Sequence, residues 1–180
     1  MPDQPHLLVL GGQRSGKSRF AERVLMASGR RPVYIATAAA RDAEMAARIA
    51  LHRDRREPAW LTVEEPLALA ERIRDYAAPS NAVLVDCLTL WLSNLMEAER
   101  PIDTETGSLL SALADATGPV VLVSNEVGSG IIPDNALGRR FADSLGILNQ
   151  RIAAAVPRVV VMTAGLPLVL KPAPSPEVAI

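Results

Sequence analysis

Leu7-Leu-Val-Leu-Gly-Gly-Gln-Arg-Ser-Gly-Lys-Ser18 joins an apolar run to a glycine-rich turn. Leu7 to Leu10 predict a short buried parallel strand. The residues from Lys17 onward have helical spacing, with Phe20, Val24 and Met26 expected on the inner side. Between the two, Gly11-x-x-x-x-Gly16-Lys17-Ser18 completes the phosphate-binding loop pattern in the strand–turn–helix setting it needs. Glycines at 11, 12 and 16 let the backbone turn tightly and aim successive N–H groups inward. With the positive end of the following helix, these donors form a cradle for a polyphosphate. Lys17 supplies a point charge for the outer phosphates, and the Ser18 hydroxyl suits a Mg²⁺ ligand. Of the 19 basic residues only two are lysines, so a lysine at this position is not what composition alone would place there. The stretch reads as a nucleoside-triphosphate site.

Outward from the loop, apolar runs alternate with helical spacing. Strands are expected at Val33–Thr37, Trp60–Val63 (near a sheet edge), Ala82–Asp86, Val120–Asn125, Arg158–Thr163 and Leu166–Leu170. Helices are expected from about Asp42 to Asp54, from Glu64-Glu-Pro66 with the proline in a first turn, from Cys87 to Met96, from Thr104 to Ala116 and from about Asn135 to Ala155. Several strands are apolar throughout, the mark of a mostly parallel sheet in an α/β protein covered by helices on both faces. No repeat or linker divides the chain, so residues 1–171 are expected to form one domain, with a proline-rich tail over 172–180. Ligands gather beyond the carboxyl ends of such strands. That rule selects Gly11 to Ser18, Ala36-Thr37-Ala38, Glu64, Asp86 and Asn125-Glu126 for one rim.

Composition narrows the class. A chain of 180 residues with 49% hydrophobic and 22% charged residues suits one globular core. A net charge of −1 argues against a nucleic-acid partner held by electrostatics. A single cysteine, Cys87, excludes an internal disulfide and fits a reducing compartment. The start carries no secretory pattern and no apolar run approaches membrane-spanning length, so the expected location is the cytoplasm.

Asp86 ends an apolar strand, as a Mg²⁺-side carboxylate does in nucleotide-hydrolysing and kinase folds, with a helix cap as the structural alternative. Cys87 reads as a small buried filler rather than a nucleophile. Of the two histidines, His6 is expected in a frayed, inert N-terminus. His52 shares a helical face with Met45, Ile49 and Arg56, next to Arg53-Asp54-Arg55-Arg56. A packed histidine is the ordinary reading of that spacing. The arginines point instead to an anionic phosphate and disfavour imidazolium, which leaves a ring nitrogen free as nucleophile or base. Asn125-Glu-Val-Gly-Ser-Gly-Ile-Ile-Pro133 is shaped as a lid or acceptor-side loop. Arg139 and Arg140 on the next helix read as surface arginines, with reach to an acceptor phosphate as the alternative.

In this combination the chain resembles the bifunctional adenosylcobinamide kinase and adenosylcobinamide-phosphate guanylyltransferase family. The likeness rests on Gly11–Ser18, Tyr34-Ile-Ala-Thr37, Met45-Ala-Ala-Arg-Ile49 with His52-Arg53, Trp60-Leu-Thr-Val-Glu64 and Asn125–Pro133, and it runs from about Leu7 to Lys171. It implies a RecA-like fold and two reactions. A nucleoside triphosphate, ATP or GTP, phosphorylates adenosylcobinamide; GTP then passes GMP to that phosphate through a guanylylated histidine, here His52. Nucleotide contacts are implied at Gly11, Gly12, Gln13, Arg14, Ser15, Gly16, Lys17 and Ser18, and at Ala36, Thr37 and Ala38. Arg53, Asp54, Arg55, Arg56, Glu64 and Asp86 complete the implied set. Mg²⁺ is expected on Ser18 and Asp86, the acceptor near Asn125 and Glu126, and a homotrimer is implied. Two other readings remain from the residues alone. One is a different small-molecule kinase with a structural His52. The other is a nucleotide switch, against which stand the missing Asp-x-x-Gly after Asp86 and the lack of Asn-Lys-x-Asp at Asn125.

Overall fold

A computed structural model describes residues 6–38 and 59–172. The helix expected over Asp42–Asp54, with His52 and its arginines, and residues 173–180 of the tail lie outside the described residues. Within them the order is β1 (Leu7–Gly11), α1 (Lys17–Met26), β2 (Arg31–Ala36), β3 (Leu61–Glu64), α2 (Leu69–Tyr76), β4 (Asn81–Asp86), α3 (Leu88–Glu97), α4 (Ile102–Asp115), β5 (Val120–Val123), α5 (Ala136–Ala155), β6 (Arg158–Thr163) and β7 (Leu166–Lys171). The sheet runs β3-β2-β4-β5-β1-β6-β7. All pairings are parallel except that of β6 with β7.

Strands buried on both faces need apolar residues at every position, which is why β1, β4 and β5 read as unbroken runs rather than alternating ones. Alternate residues serve two separate cores. Leu8, Leu10, Leu122 and Val85 face α2 to α5 through Ile73, Leu92, Leu109, Leu145 and Ile152. Leu7, Val9, Val121 and Val123 face α1 through Ala21 and Leu25. The helices that follow neighbouring strands β1 and β5 therefore lie on opposite faces of the sheet. Such a divergence opens a crevice at the carboxyl ends of the strands.

Three expectations need correction. The buried face of α1 is Lys17, Ala21 and Leu25. Val24 and Met26 are exposed, because the stripe is set by the residue that must enter the loop, Lys17, and by its i+4 and i+8 partners. Pro66 precedes α2 instead of sitting in its first turn. Glu65 holds that approach, its Oε1 accepting from the N–H groups of Leu67 at 3.0 Å and Ala68 at 2.8 Å.

His6 is the third, and it is not frayed: it is 1% exposed. Its Nδ1 accepts from the Val120 N–H at 3.2 Å and its Nε2 lies 3.0 Å from the Leu113 carbonyl oxygen. Both bonds form together only when Nε2 carries the single proton of a neutral ring. Burial lowers the His6 pKa below its ordinary value, and the bond to Leu113 offsets part of that. An unfolded histidine binds its proton more readily, so stability is full above about pH 6.5 and falls as pH drops through and below that value. Urea midpoints measured from pH 7.5 down to pH 5 are expected to fall in wild type. The His6→Leu variant is expected to lose this part of the slope. It should also lose about 1–3 kcal/mol at neutral pH, from stranding the Val120 N–H.

Candidate nucleotide-binding site

The loop at the end of β1 is assembled by close approach. Gly11 has φ +147°, and a Cβ there would lie 2.5 Å from the Met162 carbonyl oxygen on β6 and 2.7 Å from Ser15 Oγ. Gly16, at φ +96°, makes the left-handed turn into α1 that a side chain would resist. The loop backs onto the β6–β7 turn, where the Gly165 N–H donates to the Ser15 carbonyl at 3.1 Å. The Ser15 hydroxyl is buried and has no hydrogen-bond partner among the described residues. Gln13 and Arg14 are exposed on the outer turn.

Lys17 is 7% exposed, and its ammonium donates to the Gly12 carbonyl at 2.6 Å. Burial lowers its pKa, while Cys87 and Asp86 act in the opposite direction. Burial, followed by the neighbouring Asp86 charge, pushes the Cys87 thiol up to about 11. The thiol is therefore neutral at pH 7, which leaves Asp86 as the group of the two that favours the charged form of Lys17. The same shift fits the reading of Cys87 as an inert filler at the start of α3.

Across the sheet, Glu64, Ala36, Asp86 and Val123 stand in one register row. Val123 pairs in turn with Val9 of β1, two residues before the loop. Three of the rim residues selected from sequence are thus brought level with one another. Buried and half-buried hydrogen bonds then hold Asp86 and Thr37 in place. Tyr34 donates its hydroxyl proton to Asp86 Oδ2 at 3.0 Å and meets Trp60 edge to face, with ring centroids 6.1 Å apart. The Thr37 N–H donates to the Asp86 carbonyl at 3.3 Å. The Thr37 hydroxyl donates to the Cys87 carbonyl and accepts from the Cys87 N–H, both at 2.8 Å. Asn94 of α3 donates to the carbonyls of Thr37 at 2.7 Å and Pro66 at 3.0 Å. Thr37 therefore uses its side chain to join the end of β2 to the end of β4, and Ala38, the last described residue before His52, follows it directly.

Asn125 and Glu126 follow β5 beside the loop. The Ser124 N–H donates to the Val9 carbonyl and the Glu126 N–H to the Gly11 carbonyl, both at 3.0 Å. The Glu126 carboxylate accepts from the Gly128 N–H at 2.9 Å. Arg139 donates to the Pro133 carbonyl at 3.0 Å, and Arg140 lines a groove of about 500 Å³ between α4 and α5.

Sequence reasoning did not single out Tyr34 as a partner of Asp86, nor Thr89, Asn94 and Asn149. The last two carried a signal, since each is a polar residue inside an apolar helical stripe: Asn94 among Trp91, Leu92 and Leu95, Asn149 among Leu145, Leu148 and Ile152. A buried amide in such a stripe needs hydrogen-bond partners.

A glycine loop, a buried lysine and an acid at the end of a nearby parallel strand define a P-loop nucleotide-binding protein of RecA-like fold. In fold the chain is similar to the crystal structure of the flagellar accessory protein FlaH from Methanocaldococcus jannaschii. The TM-score is 0.51 at 11% identity, covering 95% of this chain and 80% of that one. The chain belongs to the cobinamide kinase / cobinamide phosphate guanyltransferase family (CobU), whose family model matches residues 7–170. It is 51% identical over 169 residues to the bifunctional adenosylcobalamin biosynthesis protein CobP of Pseudomonas aeruginosa, covering 93% of this chain and 98% of that protein. It is also 41% identical over 180 residues to the bifunctional adenosylcobalamin biosynthesis protein CobU of Salmonella typhimurium, covering 92% and 99%. The chain is an enzyme of this transferase family. None of its described helices is long and apolar enough to cross a membrane.

Proposed function

We propose that the chain phosphorylates adenosylcobinamide with ATP or GTP and then transfers GMP from GTP to the product, through a guanylylated His52. The observation that carries this reading is the family match over residues 7–170, joined to a phosphate loop with Lys17 turned into it at 2.6 Å from the Gly12 carbonyl.

In the kinase step the N–H groups of Gly11 to Ser18 and the Lys17 ammonium hold the β- and γ-phosphates. The substrate hydroxyl attacks the γ-phosphorus, the bond to the β-phosphate oxygen breaks and a nucleoside diphosphate leaves. The Ser15 hydroxyl, buried and without a partner among the described residues, supports this role, since a phosphate oxygen would accept its proton. In the transfer step a neutral His52 nitrogen attacks the α-phosphorus of GTP. An N–P bond forms, the α–β bridge breaks and pyrophosphate leaves. An oxygen of adenosylcobinamide phosphate then attacks the phosphoramidate and frees the imidazole, splitting one displacement into two. Arg53, Arg55 and Arg56, with Asp54 between them, would bind the phosphate oxygens in flight. Ala36, Ala38 and Glu64 would flank the nucleotide.

The donor set also suits Mg²⁺, a hard ion held by one or two protein oxygens with phosphates completing its shell. Ser18 supplies a hydroxyl, and Asp86 a carboxylate whose orientation Tyr34 fixes. When bound, Mg²⁺ would disperse charge on the phosphate oxygens.

We further read residues 1–171 as one domain working in the cytoplasm, within a homotrimer. Incubation with adenosylcobinamide and GTP is expected to give adenosylcobinamide-GDP and one pyrophosphate per product formed. Formation of adenosylcobinamide phosphate alone, with no pyrophosphate, would reduce the reading to a kinase.

A further inference from the structure

The root of the Asn125–Pro133 loop is held from two directions by side chains that the reaction does not use. The Asn125 N–H donates to Thr89 Oγ1 at 2.8 Å, and Asn149 Nδ2 donates to the Asn125 carbonyl at 3.1 Å. Thr89 lies in the first turn of α3 and Asn149 in the penultimate turn of α5; they are 8% and 6% exposed. Both polar groups of the Asn125 backbone are thus fixed by separate helices. The next residue, Glu126, donates its N–H to Gly11, the first glycine of the phosphate loop. The cost of this arrangement is visible at Asn149. Its neighbours on the same face, Leu145, Leu148 and Ile152, are apolar and buried, and its Oδ1 has no partner among the described residues. A leucine there would avoid an unpaired buried oxygen. What the asparagine supplies is its bond to the Asn125 carbonyl.

We infer that Thr89 and Asn149 are positioning residues for acceptor binding. They clamp Asn125 so that Asn125 and Glu126 meet the phosphorylated acceptor at a fixed distance from the nucleotide cradle. The inference rests on the acceptor-side reading of those two residues. Covalent guanylylation of the enzyme by GTP involves no acceptor, and the cradle keeps supports of its own in the Gly165 N–H to Ser15 carbonyl and Lys17 to Gly12 carbonyl bonds, so a loosened clamp should leave that half-reaction nearly unchanged.

The test uses the full chain, with GTP and adenosylcobinamide phosphate as substrates. Thr89→Val keeps the side-chain shape and removes the acceptor oxygen; Thr89→Ser restores it; Asn149→Leu removes the donor; Glu126→Ala reports on the acceptor reading itself. Thr89→Val and Asn149→Leu are each expected to raise the acceptor KM about tenfold, the size of one hydrogen bond to a buried group. Enzyme guanylylation by GTP alone should stay within about twofold of wild type, and Thr89→Ser should return the acceptor KM close to wild type. A wild-type acceptor KM in both clamp variants, with Glu126→Ala raising it, overturns the clamp and leaves the acceptor reading standing. An unchanged KM in Glu126→Ala overturns the acceptor reading and the clamp with it. Parallel loss of guanylylation in Thr89→Val assigns the clamp to the nucleotide and overturns the inference.

Discussion

Lys17→Ala is expected to lose both half-reactions, with kcat/KM for GTP lowered by at least about 10²–10³-fold, the size of effect seen when one preorganised charge-stabilising donor is removed from a transition state. Lys17 is the first residue of α1, buried on the same stripe as Ala21 and Leu25, and its ammonium is held at the Gly12 carbonyl, 2.6 Å away, inside the loop. Burial already lowers its pKa, which means the site invests in desolvating this charge and recovers that cost through a charged partner. Asp86 is one such partner; the outer phosphates of the nucleotide would be the larger. Alanine keeps the helical turn and removes the charge, so the variant should fold and fail to hold triphosphate. Fluorescent-nucleotide titration and steady-state assays of each step check this. A variant that lost the transferase step but kept kinase turnover near wild type would show that the two steps do not share the cradle.

His52→Asn is expected to abolish GMP transfer while leaving phosphorylation of adenosylcobinamide within a few-fold of wild type. Asparagine preserves a polar side chain of similar reach but has no nucleophilic nitrogen, so the phosphoramidate cannot form. Binding of GTP should change little, because the cradle at Gly11–Ser18 is untouched. Separate assays of the two steps, product by product, distinguish this from a general loss of folding. Equal loss of both steps would make His52 a structural residue, and transfer surviving in the variant would place the nucleophile elsewhere.

Much of the fold was legible because it depends on local, periodic signals. Leu7–Leu10, Ala82–Asp86 and Val120–Val123 are apolar at each position up to the acid or turn that ends them, and their shortness and valine content mark strands buried on both faces. The loop itself was legible because Gly11 and Gly16 answer a backbone need that no other residue meets at those angles. The edge position of β3 followed from the brevity of Trp60–Val63, and the sheet order places it there.

What escaped the sequence depends on partners far along the chain. His6 looks like terminal residue chemistry until Leu113 and Val120 are seen on either side of its ring. Tyr34 belongs to an apolar strand by pattern, and only the β2–β4 register brings its hydroxyl to Asp86. Thr37 was selected as a rim residue and lies there, but its hydroxyl faces Cys87, a choice made by the pairing of strands rather than by spacing. On α1 the apolar pattern finds Phe20, which packs against the core, but misses Lys17, a charged residue whose burial sets the stripe. Asn149 shows the converse: a polar residue in an apolar stripe is a signal that pattern reading discards.

The central claim is that one imidazole carries GMP between GTP and the acceptor. The direct measurement is peptide-level mass spectrometry of the wild-type protein incubated with GTP and no acceptor, quenched under alkaline conditions that preserve a phosphoramidate. The account predicts one added GMP, on the peptide containing His52, which disappears when adenosylcobinamide phosphate is supplied. An unmodified His52 peptide in protein that still forms adenosylcobinamide-GDP, or GMP found on a different residue, would contradict it.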